Sequence, residues 1–514
     1  MQKGKKFMRK ILVTATALVL LIATVLSVAS CSILDAKDGV DIVLGASKAG
    51  KVEGNAEYSF ESTSADISTL GLDIPTVDEP DTTPATPGLV FMMNDTRDAY
   101  RVIGYNTHYL EEGDALSKTI YIPYTYEGLP VVDIAPRAFW DVNIESITLP
   151  KTLLRICNMA FYGSTVSSIN LPASLAVIED NAFLECSALS SITVEQGNAR
   201  YTIENSYLKD GATLVRGFGD GVISESITAI APGAYNGCSA LTSIVVPETV
   251  TSLGYGVFSG CRNLASAEIY SPVEKLENNT FDGCTSLISV TLPETVKTLG
   301  VAAFRNTGFT EFTVPASVTY LESYCFAECK NLTKFDFGFV VDKSYWMLDA
   351  DGNYLLTDKG RKQLNREFKG ETVKIESFVL ENCTALQKVY FAEGVTDIAS
   401  YACRGCSSLT YVYLPDTCLK LGTGAFWGCS LLASLFIPYE LITMGSTIAY
   451  GTVAGDSFEF LCEIGYKNLQ WQDSFKLNLV ENGTATNTAL IVEHNAKVIY
   501  SASRPADPDA VPAE

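Results

Sequence analysis

The chain has 514 residues, in which 37 Lys and Arg against 59 Asp and Glu give a formal net charge of −22. This balance disfavours nucleic acid and anionic lipid surfaces as partners, because like charges repel. The two histidines, His108 and His494, lie far apart in the sequence and offer little material for His-based triads or His-rich metal sites. We therefore expect no catalytic residue, no metal and no cofactor.

The N-terminus has the order of a secretory signal. Basic residues between Lys3 and Lys10 precede an apolar run over residues 11–28, and small residues then lead to Cys31. A cysteine directly after small residues resembles a bacterial lipobox, so residues 1–31 are predicted to be a lipoprotein signal in which Cys31 is lipidated. The alternative is an uncleaved transmembrane anchor, because the apolar run approaches the length of a span. Both interpretations hold the protein on a membrane, outside the cytoplasm.

Two segments lack hydrophobic periodicity. Residues 32–88 end in GLDIPTVDEPDTTPATPG, which is rich in Pro, Thr and acidic residues. Such a composition favours an extended, solvated chain, so this segment is predicted to be a disordered tether. The Pro- and acid-rich residues 501–514 are predicted to be a disordered tail for the same reason.

A phrase of about 23 residues repeats along the middle of the chain, as in TSIVVPETVTSLGYGVFSGCRNL from Thr242. Each unit closes on a large residue, most often with a cysteine three positions later and an apolar residue three positions after that. We call the closing residues the anchors: Phe139, Phe161, Phe183, Tyr235, Phe258, Phe281, Phe304, Phe326, Leu380, Cys403 and Phe426. They define about eleven units, interrupted by two longer gaps.

Each unit then reads L-x-x-I-x-V and usually reaches a Pro, as in LTYVYLP from Leu409, which predicts a short strand. Side chains alternate along a strand, so the apolar residues face a core that only stacked units can bury. The predicted fold class is a leucine-rich repeat solenoid, a beta-dominated member of the alpha-beta horseshoe-like class, with one long parallel sheet. The rest of each unit is expected to form turns, extended pieces and single 3₁₀ or helical turns.

The repeated pattern resembles the BspA-like leucine-rich repeat family of bacterial surface proteins. The resemblance rests on phrases such as LPASLAVIEDNAFLECSAL from Leu171 and on the opening segment TIYIPYTYEGLPVVDIAPRAF from Thr119. It implies surface display, with adhesion to host matrix proteins, epithelium or other bacteria in some members. It also implies an N-terminal cap at 89–130 and repeats at 131–437 with hairpin inserts at 196–224 and 339–370. Because the phrase is lost after Pro438, residues 438–500 are predicted to be a C-terminal cap.

Eight of the 14 cysteines stand at one repeat position, where we expect them to stack as small buried residues. They are Cys186, Cys238, Cys261, Cys284, Cys329, Cys383, Cys406 and Cys429. A disulfide framework is the alternative for an exported chain, although parallel side chains in neighbouring units make the disulfide torsion hard to satisfy. Cys403 and Cys406 form a C-x-x-C, but both occupy repeat positions, which favours packing over a redox or zinc role.

The outward face of the predicted sheet changes character along the chain. Ser and Thr dominate the first seven units, whereas the later strands carry charged and aromatic residues. Lys388, Tyr390, Tyr411, Tyr413 and Phe436 are predicted to form one patch on adjacent strands. Aromatic side chains with a polar tip often anchor recognition, so this patch is the candidate ligand-binding site. The alternative is that these aromatics merely suit strands and are covered by the C-terminal cap.

The sequence therefore predicts a non-catalytic, lipid-anchored surface protein that binds an extracellular protein or glycan through its sheet. One alternative is a passive spacer or coat component, in which the Ser and Thr face only keeps the protein soluble. A glycan-degrading enzyme is the other alternative, but nothing in the sequence places two carboxylates about 5 to 10 Å apart in a cleft.

Overall fold

A computed structural model describes residues 67–106, 115–219, 221–337, 373–391 and 393–451, except 439, 446 and 449. It also describes the strands at 458–463, 470–471 and 496–501 and a few isolated residues. The signal and lipobox at 1–31, most of the insert at 339–370 and the tail at 502–514 lie outside the described residues.

Two parallel ladders of strands run along the solenoid, one strand of each per turn, and breaks in the hydrogen-bonded pairing divide each ladder into shorter sheets. The front ladder consists of Thr119–Tyr121, Ser146–Thr148, Ser168–Leu171, Ser191–Val194, Gly221–Val222, Ser243–Val246, Ser266–Ile269, Ser289–Thr291, Glu311–Val314, Lys334–Phe337, Lys388–Tyr390, Tyr411–Tyr413, Ser434–Ile437, Phe458–Glu463 and Ala496–Ser501. The back ladder consists of Tyr100–Tyr105, Leu129–Ile134, Arg155–Ile156, Val177–Ile178, Thr213–Gly217, Ala229–Ile230, Ser252–Leu253, Lys275–Leu276, Thr298–Leu299, Tyr320–Leu321, Val373–Ile375, Val395–Ile398, Lys420–Leu421, Thr443–Met444 and Gln470–Trp471. The beta-solenoid predicted from the repeat is confirmed, and 15 strands of each ladder lie among the described residues.

The front ladder follows the predicted register. All eleven strands predicted between Ser146 and Ile437 are present, and paired strands align residue for residue, as in Ser243 opposite Ser266. Apolar residues of these strands point inward and pack with the anchors, all of which are buried. The aromatic anchors stack from turn to turn, with ring centroids 5.2 Å apart for Phe258 and Phe281. The residues that recur in the sequence repeat are therefore the residues that form the buried core.

The sequence predicted one long parallel sheet, whereas the structure has a second series of strands, the back ladder. Its strands are mostly two residues long, and most of the two-residue strands place one apolar residue, such as Leu276 or Leu299, in the core. A two-residue strand shows no alternation that sequence periodicity can detect. The segments between the back strands and the anchors form turns, and the 3₁₀ helix Ile67–Leu70 is the one helix among the described residues.

The N-terminal part of the solenoid begins before the predicted cap. The prediction of a disordered tether up to residue 88 is wrong from Ile67 onward, because this segment packs on the first turns. Ile67 is buried against Val132 and Leu154. The Asp81 carboxylate accepts hydrogen bonds from the Tyr121 hydroxyl and the Tyr124 N–H. Scattered apolar residues and one acceptor side chain thus order a segment whose composition alone favours disorder.

Antiparallel pairs lie at the two ends of the first block of repeats. Strand Leu89–Met93 pairs antiparallel with Tyr100–Tyr105, the first strand of the back ladder, and Thr125–Tyr126 pairs antiparallel with Leu129–Ile134, the second. Within residues 196–224, strands Tyr201–Glu204 and Tyr207–Asp210 form an antiparallel meander with Thr213–Gly217, which then pairs in parallel with the back ladder.

Arg216 joins the repeats on either side of this first insert. Its guanidinium is buried and donates to the carbonyls of Cys186, Gly233 and Asn236, which belong to the turns before and after the insert. Burial lowers the pKa of Arg216. The side chain thereby replaces hydrogen bonds that a directly stacked repeat would supply.

The C-terminal segment continues both ladders. Phe458–Glu463 pairs in register with Ser434–Ile437 on one side and with Ala496–Ser501 on the other. The front sheet therefore continues through two further strands, which lie in the predicted C-terminal cap and extend to residue 501. Gln470–Trp471 similarly continues the back ladder. Over the described part of the chain, no helix has the length and apolarity needed to cross a membrane.

Candidate functional site

The outward face of the front ladder changes from hydroxyl-bearing to aromatic along the solenoid. Its early rungs present exposed pairs such as Ser168 with Asn170 and Ser191 with Thr193. Small side chains cannot shield one another across neighbouring strands, so these rungs stay open to solvent. From Lys334–Phe337 onward the outward side chains are larger and become half-buried by contact with their neighbours.

The structure brings the predicted patch residues together on three consecutive strands. Lys388 and Tyr390 pair with Tyr411 and Tyr413, and all four are half-buried. The rings of Tyr390 and Tyr411 lie 5.5 Å apart and are tilted by 46°. Their placement is the one expected from the alternation of side chains along a strand.

Phe436 departs from the expectation of an outward, accessible ring, because it is only 6% exposed. Its register partner on the next strand is Leu461, a residue in the segment where the repeat phrase is lost. For Phe436 this is the arrangement of the alternative interpretation, in which residues 438–500 cover the aromatic residues, although Leu461 itself was not identified from the sequence. Phe436 therefore forms an apolar floor of the patch and not its exposed edge.

A small pocket of about 50 Å³ opens in this patch. Its lining residues are Thr410, Tyr411, Val412, Tyr413, Leu414, Ser434, Phe436 and Leu461. The lining holds aromatic and aliphatic surface with a few hydroxyls and no charged side chain. A pocket of this size lies far below the roughly 300 to 1,000 Å³ of small-molecule sites, so it fits one inserted group of a larger ligand.

Charged residues border the patch on two sides. Lys334 lies over the Tyr390 ring at 5.5 Å and 3.8 Å from the Asp336 carboxylate. At the other ends of the strands, Glu393 accepts a 3.3 Å hydrogen bond from the Asp416 N–H and lies 3.5 Å from the Tyr413 hydroxyl. The patch thus has a basic border beside Lys334 and Lys388 and an acidic border beside Glu393. Leu461, Lys334 and Glu393 were not among the predicted site residues.

The cysteine ladder lies in the core, away from this patch. All eight ladder cysteines are buried and free, and most thiols donate to the carbonyl of the anchor in the preceding unit. The Cys284 thiol lies 3.0 Å from the Phe258 carbonyl oxygen. Burial raises the pKa of Cys284 and Cys383 well above the ordinary thiol value. Among the described residues, no group of three or more His, Cys, Asp or Glu is arranged to hold a metal ion.

Comparison with protein families gives one match, to the BspA type leucine rich repeat region. Six copies of this region match residues 128–213, 218–333 and 360–467, which together are more than half of the chain. A comparison with curated proteins gives no match.

Several solved structures are similar to this chain. A leucine-rich repeat protein from Bacteroides ovatus is 18% identical, with 83% of this chain and 99% of that chain covered and a TM-score of 0.42. A leucine rich cell surface protein from Faecalibacterium prausnitzii is 20% identical, with coverages of 77% and 96% and a TM-score of 0.36. The pneumococcal vaccine antigen PcpA is 15% identical, with coverages of 81% and 99% and a TM-score of 0.31.

Proposed function

Because this chain belongs to the family of proteins with BspA-type leucine-rich repeats, we propose that it is a non-catalytic surface protein that binds a protein or glycan ligand. The ligand-binding site is the front-face patch formed by Lys388, Tyr390, Tyr411 and Tyr413 over the floor of Phe436. Solenoids use an extended sheet surface for binding more often than for catalysis.

The observation that carries this proposal is the pocket between Tyr411, Tyr413 and Phe436. It opens on the aromatic end of the front ladder, whereas the Ser and Thr end offers hydroxyls without apolar anchors. Rigid aromatic side chains around a small pocket provide the buried contact that dominates binding energy at interfaces. Hydroxyl ladders that stay hydrated contribute little beyond solubility.

The proposal includes export and lipid anchoring at Cys31. The basic, apolar and small-residue order of residues 1–31 supports this part of the proposal. The packed solenoid begins at Ile67, so residues 32–66 would connect the lipid to the first turn. The patch then lies about ten rungs from the attached end, roughly 50 Å along the ladder at the spacing of neighbouring strands.

A binding panel tests this function. The chain from Ser32 onward is immobilised and exposed to extracellular-matrix proteins and to glycans, and surface plasmon resonance measures saturable binding. We expect at least one saturable ligand whose binding is competed by an antibody fragment raised against the Tyr411–Tyr413 strand. No saturable ligand in the panel, with the fold intact by circular dichroism, would favour a passive spacer instead.

A further inference from the structure

One turn position has the same unusual backbone conformation in all eleven repeats. The residue two positions before each anchor has a positive φ, between 53° and 63°. These residues are Arg137, Met159, Asn181, Gly233, Gly256, Asn279, Ala302, Tyr324, Phe378, Tyr401 and Gly424. Left-handed backbone is sterically unfavourable for residues with a large side chain and favours Gly and Asn. We call this position the left-handed position.

Three consecutive repeats carry aromatic residues there, against this preference. Tyr324, Phe378 and Tyr401 have φ values of 60°, 63° and 60°, although Gly or Asn occupies the same position in five other repeats. Their rings are only half-buried, so the hydrophobic core does not require them. Backbone strain that packing does not explain is concentrated at functional sites.

These rings form a continuous stack along the solenoid. Tyr324 and Phe378 are 5.0 Å apart with planes within 2°, and Phe378 and Tyr401 are 5.2 Å apart with planes within 9°. Trp427 follows at 6.1 Å from Tyr401, and Tyr450 follows at 4.6 Å from Trp427. We call these five residues the aromatic ridge.

In the last repeat the left-handed position is Gly424, so the ridge continues there through aromatic residues at other positions of the repeat. A Cβ atom at Gly424 would lie 2.5 Å from the Tyr401 ring, so that ring occupies the space above Gly424. Trp427, one residue after its anchor, then supplies the next ring. The last ring, Tyr450, is 50% exposed. The row of aromatic surface thus continues despite the change of position.

The charges beside the ridge are paired with one another. Arg404 lies 3.1 Å from Glu381, and Lys330 lies 3.3 Å from Glu328. The Asn382 amide also donates to Glu328 at 2.7 Å. The ridge therefore offers aromatic surface and tyrosine hydroxyls without a net charge to attract an ionic ligand.

We propose that the aromatic ridge binds a linear, neutral glycan along the solenoid axis. One ring stands on each turn, at a spacing comparable to the length of one sugar unit in an extended glycan. The ridge spans five turns, roughly 20 Å, and is one ring wide, which is far less than the roughly 800 Å² per partner of a stable protein interface. The formal net charge of −22 disfavours anionic polysaccharides. This surface is separate from the front-face patch and does not rest on it.

Affinity electrophoresis of the chain from Ser32 onward tests the inference. The gels contain mixed-linkage β-glucan, xylan, mannan or starch as neutral probes, or polygalacturonate as an anionic probe. We expect retardation by at least one neutral probe. The triple variant Tyr324→Asn, Phe378→Asn, Tyr401→Asn should bind that probe at least tenfold more weakly. It should melt like the wild type, because Asn181 and Asn279 occupy the same position in other repeats.

Thr193→Ala with Thr291→Ala, on the exposed hydroxyl face and outside both aromatic surfaces, is the matched control and should keep wild-type retardation. If the triple variant unfolds, the variant Tyr450→Ser tests the proposal in its place. It removes a half-exposed ring of the ridge and should weaken retardation at least threefold. Retardation by no neutral probe, or full retardation of the folded triple variant, would overturn the proposal. Loss of retardation in the Tyr411→Ser, Tyr413→Ser variant, with full retardation of the triple variant, would also overturn the proposal and place the glycan on the front-face patch.

Discussion

At the scale of single residues, the repeated cysteine is a packing residue that also donates a hydrogen bond. The Cys261 thiol lies 3.0 Å from the Tyr235 carbonyl oxygen, and Cys284 repeats this contact with Phe258. A serine at this position would bury a more polar hydroxyl, and an alanine would leave the carbonyl with one bond fewer. Cysteine satisfies the position because it is small, apolar and still a weak donor.

The first prediction concerns this ladder. Cys261→Ala and Cys284→Ala should each destabilise the protein by about 1 to 2 kcal/mol, because each leaves a small cavity and removes one buried hydrogen bond. Thermal melting checks the stability change. In the folded protein a thiol reagent should label the ladder slowly, since burial raises the pKa of Cys284. After denaturation without reductant all eight should react, and unreactive cysteines at that stage would indicate disulfides.

Arg216 leads to a second prediction at this scale. Arg216→Met should cost about 2 to 4 kcal/mol, because three buried carbonyls lose a charged donor. Arg262→Met is the control: this arginine is exposed, and its loss should change stability by less than about 0.5 kcal/mol. Urea unfolding of both variants makes the comparison. Equal stability of the two would mean that the insert does not depend on Arg216.

Sequence could predict the repeated residues but not the singular ones. The anchors and ladder cysteines recur at fixed offsets, so their burial follows from the repeat. Arg216 occurs once, inside an insert, and nothing in its local sequence shows that three carbonyls surround it. The burial of Phe436 depends on Leu461, which lies beyond the last recognisable unit. Contacts made across an insert, or beyond the last repeat, involve residues that do not recur in the sequence, so the repeat pattern cannot predict them.

At the scale of elements, the back ladder is tightly apposed from turn to turn. A glycine follows several of its two-residue strands, as at Gly300 and Gly422. A Cβ atom on Gly422 would lie 2.3 Å from the Ser400 backbone nitrogen, and one on Gly300 would lie 2.7 Å from the Leu276 carbonyl oxygen. Backbone cannot yield as a flexible side chain can, so these positions admit no side chain without separating the turns.

The prediction at this scale is that Gly422→Ala strongly destabilises the solenoid. The methyl group collides with backbone atoms of the preceding turn, and we expect a loss of about 2 to 4 kcal/mol. Gly104→Ala is the matched control, because the nearest atom to its added Cβ is 3.7 Å away. Differential scanning calorimetry of the two variants checks this. A normal melting temperature for Gly422→Ala would show that adjacent turns are not held this closely.

Predictability also differs between the two ladders. The strands of the front ladder alternate over three or four residues and were placed correctly, as for Tyr411–Tyr413. The back strands are too short to alternate, so only their stacking defines them. The left-handed position was not predicted either. Gly or Asn occupies it in five repeats, but Tyr324, Phe378 and Tyr401 occupy it in three others, so the sequence shows no consistent residue type there.

At the scale of the whole molecule, we propose that the chain is displayed from a lipid at Cys31. Cys31→Ser should release the protein into soluble fractions or block its processing, because the thiol is the attachment point for the lipid. Detergent phase partitioning and the mobility of the protein on a denaturing gel check the outcome. Unchanged membrane retention at wild-type mobility would favour a transmembrane anchor over residues 11–28.

The central claim is that the aromatic end of the front face binds the ligand. The most direct measurement is the Kd of the Tyr411→Ser, Tyr413→Ser double variant for the ligand found in the panel. We predict binding weaker by at least 30-fold, because two aromatic anchors beside the pocket are lost while the core is untouched. Thr193→Ala with Thr291→Ala, on the exposed hydroxyl face, should stay within about twofold of the wild type. Wild-type affinity of the folded Tyr double variant would contradict the claim.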